Sequence, residues 1–305
     1  MIPYELIITS ASRPSLLRPT LESLLANVDQ PPERILVHDD ALYGDADERW
    51  EVMKEMLASL ALPCELLVTH VSPPRRLGLA LSWLLANVRT EYVLYSQDDF
   101  VTVRPLPVRA ALSIMNVHGI NQIRFNKRAT LGQKDTWQGV WSKEERGFTV
   151  EQDAVDDGLA TEVSRTVLTV SDHWYFQTGL WRASVIRAAL AWLTATPERA
   201  RLFAATHAEV AINSVMDGVL GPIPGLSVPR PEAAADLETR RRVQRTFIWG
   251  PIGEDRYVRH VGVDREHWAG DHSRGPAAPS RLSEKQREAW AEVESYQREE
   301  REDGH

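Results

Sequence analysis

The feature that most constrains how this chain folds is an alternation, across its N-terminal third, of short continuous apolar runs with apolar residues at helical spacing. Glu5–Thr9 is an aliphatic run that breaks at Ser10, Ala11, Ser12, Arg13 and Pro14, as a buried strand followed by a turn does. Leu17, Leu21, Leu24, Leu25 and Val28 then fall on one helical face, with Pro19 near its start. Ile35–Val37 reads as a second strand closed by His38, Asp39 and Asp40, and a helix follows from about Asp47 to Leu60. Glu65–Val71 is a third strand and Leu77–Val88 a strongly apolar helix. Tyr92–Tyr95 is a fourth strand, ending at Ser96, Gln97, Asp98 and Asp99. Strand and helix in strict alternation predict an α/β domain with a mostly parallel sheet and helices on both faces. The right-handedness of such crossovers makes it an open, doubly wound, Rossmann-like sheet.

In sheets of this kind ligands sit beyond the carboxyl ends of the strands. Here the polar clusters Ser10–Arg13, His38–Asp40 and Ser96–Asp99 all end strands, so the fold brings them to one edge. The adjacent carboxylates Asp98 and Asp99 suit a hard divalent cation, which prefers oxygen ligands and shares them with a diphosphate. The competing reading is simple helix capping, since Asp is common where a strand hands over to a helix.

The second half is less regular. Asn121–Asn126 and Val167–Val170 read as strands, and Trp181–Leu193 and Ala204–Met216 as helices. Leu131–Thr161 suggests loops or a small hairpin, 218–231 a Gly- and Pro-rich loop, and 271–279 a linker. Ser283 and Gln286 form a capping-box pattern ahead of Leu282, Ala289, Trp290, Val293 and Tyr296 on one helical face. The expected organisation is one domain over 1–270, divided at about 105, then a linker and amphipathic helix over 271–305.

Composition narrows the functional classes. The 305 residues carry 35 basic and 43 acidic side chains, a net charge of -8, which disfavours non-specific grip on a phosphate backbone. Arg240, Arg241, Arg242 and Arg245 are a local exception that reads equally as a solvated helix face. The lone Cys64 excludes an internal disulfide and a cysteine-based zinc site, and no apolar run is long enough to span a membrane. The first residues lack the basic region of a signal peptide, so the expected location is cytoplasmic.

Taken together, Thr9–Pro14, Asp39-Asp40, Arg75–Gly78 opening a helix, and a strand closing on Asp98-Asp99 resemble the donor half of the large inverting family of GT-A glycosyltransferases. The resemblance covers residues 1 to about 105. It implies the GT-A fold, with an acceptor-side C-terminal half, and transfer of a sugar from a nucleotide-sugar, UDP being one such carrier, with Mn2+ or Mg2+. It also implies that Ser10, Ser12 and Arg13 border the nucleotide, that Asp39 or Asp40 holds base or ribose, and that Arg76 approaches the donor. Gln97 and Asp98 would complete the donor contacts, and Asp98 or Asp99, Asp99 first, would bind the metal. One departure is Ser96, where the family's Asp-x-Asp places an aspartate.

Downstream, His173–Arg182 resembles the family's acceptor-side segment, and Glu209 then matches its general base, with Asp172 in reserve. Arg256–Gly262 resembles a late strand that returns His260 to the metal, with His272 as an alternative, while Trp249 and Trp268 are candidate walls for a sugar ring. Each has a plainer reading: Glu209 as a surface helical residue, His260 and the tryptophans as structural ones. Two other functions fit the same pattern. A nucleotidyltransferase shares the sheet and metal but needs a glycine-rich first loop, and Ser10–Pro14 has no glycine. A transferase-like module that binds without catalysis is the other. The acceptor stays open among a glycan, a small molecule, a protein and a modified DNA base.

Overall fold

The computed structural model describes residues 1–41, 45–72, 76–125, 147–152, 164–171, 174, 176–205, 208, 211, 212, 215, 246–250 and 257–260. In chain order the elements are β1 (Tyr4–Ser10), α1 (Pro14–Asn27), β2 (Arg34–Asp40), α2 (Ala46–Ala58), β3 (Glu65–Val71), α3 (Arg76–Asn87), β4 (Tyr92–Gln97) and β5 (Phe100–Thr102). There follow α4 (Val108–His118), β6 (Gln122–Arg124), β7 (Gly147–Gln152), β8 (Ser164–Ser171), β9 (Gly179–Arg182), α5 (Ala183–Thr194), α6 (Pro197–Ala205), β10 (Thr246–Trp249) and β11 (Val258–His260).

The main sheet has nine strands in the order β3-β2-β1-β4-β9-β6-β10-β8-β7, and β5 with β11 forms a separate pair. From β3 to β4 every pairing is parallel. Beyond them β9 runs antiparallel to both β4 and β6, so β4 and β6 point the same way. Strands from both sides of residue 105 thus lie in one α/β sheet, with helices on both faces.

Strand periodicity sorts the core into two layers. Leu6, Ile8, Ile35 and Val37 meet Leu17, Leu21 and Leu24 of α1, Met53 of α2 and Leu112 of α4. Ile7, Leu36, Val93 and Tyr95 meet Leu81, Leu84 and Leu85 of α3 and Ile186, Ala189 and Leu190 of α5. A strand buried on both faces must be apolar throughout, which is why β1 reads as an unbroken run.

Several expectations are corrected. Trp181 belongs to a strand, not to the helix expected from Trp181, because Gly179–Arg182 pairs with both β4 and β6 before α5 begins at Ala183. Gly179 permits that approach, since a Cβ there would lie 2.6 Å from the Ile123 carbonyl oxygen. Gly78 lies inside α3 rather than in the turn before it; a Cβ at that position would meet the Phe203 ring of α6 at 2.4 Å. Helix α4 and strands β5 and β10 have no counterpart in the sequence reading. The 271–305 segment lies outside the described residues. No helix among the described residues is long and apolar enough to cross a membrane.

Candidate active site

The carboxyl ends of β1, β2 and β4 do converge, and their register explains how. Ser10 stands opposite Asp39, and Asp39 opposite His70, so these three occupy one level of adjacent parallel strands. Parallel partners at one level face the same side. Thr9 stands opposite Gln97, which puts Asp98 just past the edge, where its N–H donates to the Thr9 carbonyl at 3.0 Å. Thr20 of α1 donates its hydroxyl to the Asp98 carbonyl at 2.8 Å, locking the strand end to the helix.

Asp98 is 1% exposed, and both of its oxygens are engaged. Oδ2 accepts from the Ser10 hydroxyl at 3.1 Å, the Ala11 N–H at 3.0 Å and Arg13 Nε at 3.2 Å, while Oδ1 accepts from Arg13 Nη2. Burial pushes its pKa up, the Arg13 guanidinium pulls against that, and the neighbouring Asp99 adds to the rise. All four contacts come from donors, as an ionised carboxylate requires. Asp99, also buried, accepts from the same Arg13 Nη2 at 3.1 Å.

Asp39 forms the second knot. Its carboxylate accepts from the Ser12 N–H at 2.6 Å, from the Ser12 hydroxyl at 2.9 Å and from His70 Nδ1 at 2.7 Å. Ser12 has φ 55°, the left-handed region that non-glycine residues rarely adopt, and the two bonds to Asp39 hold it there. The His70 ring lies against Trp50 of α2, centroids 4.7 Å apart and planes within 9°. Asp40 sits beside His38, whose Nε2 is 3.4 Å from its Oδ1, and the His38 ring meets Trp83 of α3 at 5.6 Å.

The other expected residues divide into three groups. Gln97 donates to the Phe176 carbonyl at 3.2 Å and to the Tyr95 hydroxyl at 3.3 Å; Ser96, in the departing position, is buried against the Thr178 hydroxyl at 2.9 Å. These contacts tie the Phe176–Thr178 stretch to β4. Arg76 opens α3 and His260 closes β11, and for both only the backbone is described. The β11 register sets His260 opposite Phe100, one residue beyond Asp99. Glu209, Asp172, His272, Trp268 and the Arg240–Arg245 cluster lie outside the described residues. Trp249 packs near Phe125, 6.2 Å between centroids, at the margin of the core.

His70, Trp50 and the fully buried Arg124, which donates to Gln177 Oε1 at 3.2 Å, are polar or aromatic edge residues that sequence reasoning missed. For His70 the signal was present, because it nearly closes a strand running parallel to two strands that end in polar clusters. Among the described residues, no group of three or more His, Cys, Asp or Glu side chains is arranged to hold a metal ion.

No family model matches this chain, and no curated protein matches it. Solved structures do. The S. aureus TarS 1–349 structure in complex with UDP is 15% identical, covering 61% of this chain and 48% of its own, with a TM-score of 0.37. This chain therefore spans less than half of that structure. The S. aureus TarS 1–349 complex with UDP-GlcNAc is 13% identical over 96% of this chain and 71% of its own, with a TM-score of 0.44. The mannosyltransferase PcManGT from Pyrobaculum calidifontis, in complex with GDP-Man and Mn2+, is 14% identical over 97% of this chain and 70% of its own, with a TM-score of 0.43. These are likenesses of chain path at low identity and TM-scores below 0.5, and they leave the chemistry to the side chains described above.

Proposed function

We propose that this protein is a nucleotide-sugar-dependent glycosyltransferase, using the β1, β2 and β4 edge as its donor site. The observation that carries the reading is the pair of knots at that edge. Arg13 with Asp98 and Asp99, and Asp39 with Ser12 and His70, concentrate charge and polar groups where an α/β sheet binds ligands.

Asp99, one residue from the β5–β11 pair that carries His260, would supply an oxygen and His260 a nitrogen to a divalent metal, the diphosphate completing the sphere. This donor set fits Mn2+ or Mg2+, which would neutralise charge on the departing nucleoside diphosphate. Ser10, Ser12 and Arg13 would border the nucleotide. Asp39 holds Ser12 and His70 in place, and Asp39 or Asp40 would contact base or ribose. Glu209, with Asp172 in reserve, is the proposed general base that takes the acceptor hydroxyl's proton. Direct displacement with that base on the opposite side of the anomeric carbon inverts it. The acceptor is a soluble glycan, small molecule, protein or modified DNA base.

The test is a thermal-shift series with UDP, UDP-GlcNAc, GDP and GDP-Man, each with Mn2+ and with chelator. A ligand at about a hundred times its Kd adds about 2.7 kcal/mol, a rise of several degrees. A shift that one nucleotide produces only with Mn2+ is expected. No shift with any of them would overturn the donor-site reading, and binding without transfer to any acceptor would favour the non-catalytic module.

A further inference from the structure

Arg13 stands at the start of α1, the place where Ser, Thr, Asp or Asn commonly caps a helix. Its backbone fills that place, its carbonyl accepting from the Leu16 and Leu17 N–H groups at 3.0 and 2.9 Å. Its side chain makes no capping bond. Instead the guanidinium crosses to the end of β4 and bridges both carboxylates, through Nε and Nη2 on Asp98 and Nη2 on Asp99. All three groups are largely withdrawn from water, with side-chain exposures of 15% for Arg13, 2% for Asp98 and 9% for Asp99. Solvent therefore screens their mutual field poorly.

Among the described side chains, Arg13 offsets part of the negative charge that Asp98 and Asp99 place at the strand end. A divalent cation gains little from such a site until a diphosphate adds its own charge. We infer that Arg13 is an internal counter-ion: it neutralises the Asp98–Asp99 pair before substrate binds and keeps metal affinity low until a nucleoside diphosphate arrives. This rests on the metal reading above. When metal and nucleotide load together, the contact to Asp99 is the one that yields. Arg13 gives two bonds to Asp98 and one to Asp99. The consequence is coupled loading, in which neither free metal nor bare carboxylates dominate the resting site.

The experiment is a Mn2+ titration of the full chain, free Mn2+ being read by electron paramagnetic resonance, without nucleotide and then with UDP or GDP. Arg13→Gln is expected to tighten nucleotide-free Mn2+ binding by about tenfold or more. Arg13→Lys keeps the charge and is expected to stay within about threefold of wild type. Unchanged or weaker binding by Arg13→Gln overturns the inference, as does equal tightening by Arg13→Lys. Should Arg13→Gln fail to fold, Arg13→Met removes the same charge and is expected to tighten Mn2+ binding likewise, and an unchanged affinity overturns the inference. If Mn2+ binds with nucleotide but the variants match wild type, only the counter-ion role fails. If Mn2+ binds to none of these proteins even with nucleotide, the metal reading fails and this inference falls with it.

Discussion

Replacing Asp39 by alanine tests the architecture of the β1–β2 edge most directly. Asp39 is fully buried and its carboxylate accepts three bonds, two from Ser12 and one from His70. Alanine removes both acceptor oxygens, and with them all three bonds. The Ser12 N–H is left without its partner at a residue that is itself fully buried, which costs about 1–3 kcal/mol. Losing the remaining charge-assisted bonds adds about 1–2 kcal/mol after the two donors find partial replacements. The two bonds from Asp39 that hold Ser12 at φ 55° are also lost, so the β1–α1 turn relaxes. The total is about 2–5 kcal/mol. At roughly 2 °C per kcal/mol for a chain of this size, that is a fall in Tm of about 4–10 °C, read by scanning calorimetry. Asp39→Asn keeps one acceptor for the Ser12 N–H, and its amide can donate to His70 in the other tautomer, so about 1–2 kcal/mol is expected. Ser12→Ala removes one bond and about 1 kcal/mol. Because the two residues touch, Ser12→Ala with Asp39→Asn departs from additivity by at least about 0.5 kcal/mol. An Asp39→Ala protein melting within about 2 °C of wild type would refute the assignment of Asp39 as the residue that pins Ser12.

Three further outcomes follow from the same geometry. Glu5 and Arg34 form a buried pair at 2.6 Å, Glu5 also accepting from the Arg89 N–H at 2.7 Å and Arg34 donating to the Asn87 carbonyl at 2.7 Å. Arg34→Leu strands the Glu5 charge and costs about 3–5 kcal/mol in a denaturant melt. Glu5 lies roughly 16 Å up the strand from Ser10, so nucleotide affinity of the folded protein stays within about twofold. Gly179→Ala drives a Cβ to 2.6 Å from the Ile123 carbonyl oxygen and loses about 1–3 kcal/mol, seen as a lower midpoint in urea. Burial, reinforced by Glu33 and Glu65, pushes the Cys64 thiol pKa up, so at pH 8 it alkylates with iodoacetamide more slowly than in urea-unfolded chain. Because the folded pKa is the higher one, its contribution to stability is complete below the unfolded value and is lost as pH rises through the folded one. Equal alkylation rates in the two states would contradict that.

The N-terminal half of the fold was legible because each element announces itself locally. Glu65–Val71 was read with the bounds the structure has, and the first, second and fourth strands differ by a few residues at their ends. A buried parallel strand needs an apolar run, and a turn at its end needs polar or kinked residues, so both signals lie within a few positions of one another. That also made Ser10–Arg13, Asp39 and Asp98-Asp99 recognisable as edge residues. The strands beyond β4 were harder. β5, β9, β10 and β11 have three or four residues each, too short for periodicity, and exist because a distant partner strand hydrogen-bonds to them. Trp181 was taken for helix because it adjoins one in sequence, while its pairing partners are Val93 and Gln122.

What the sequence determined by itself, then, is the layered α/β architecture and the set of polar residues delivered to one edge, since period and turn chemistry are local properties of the chain. Which of those residues touch was decided only by tertiary structure. That Arg13 leaves its helix to bridge Asp98 and Asp99, that Asp39 commits its carboxylate to Ser12 and His70, and that Gly78 lies against the Phe203 ring all depend on sheet register and helix packing. Those are relations between residues far apart in the chain, with bond lengths and close contacts that no local pattern encodes.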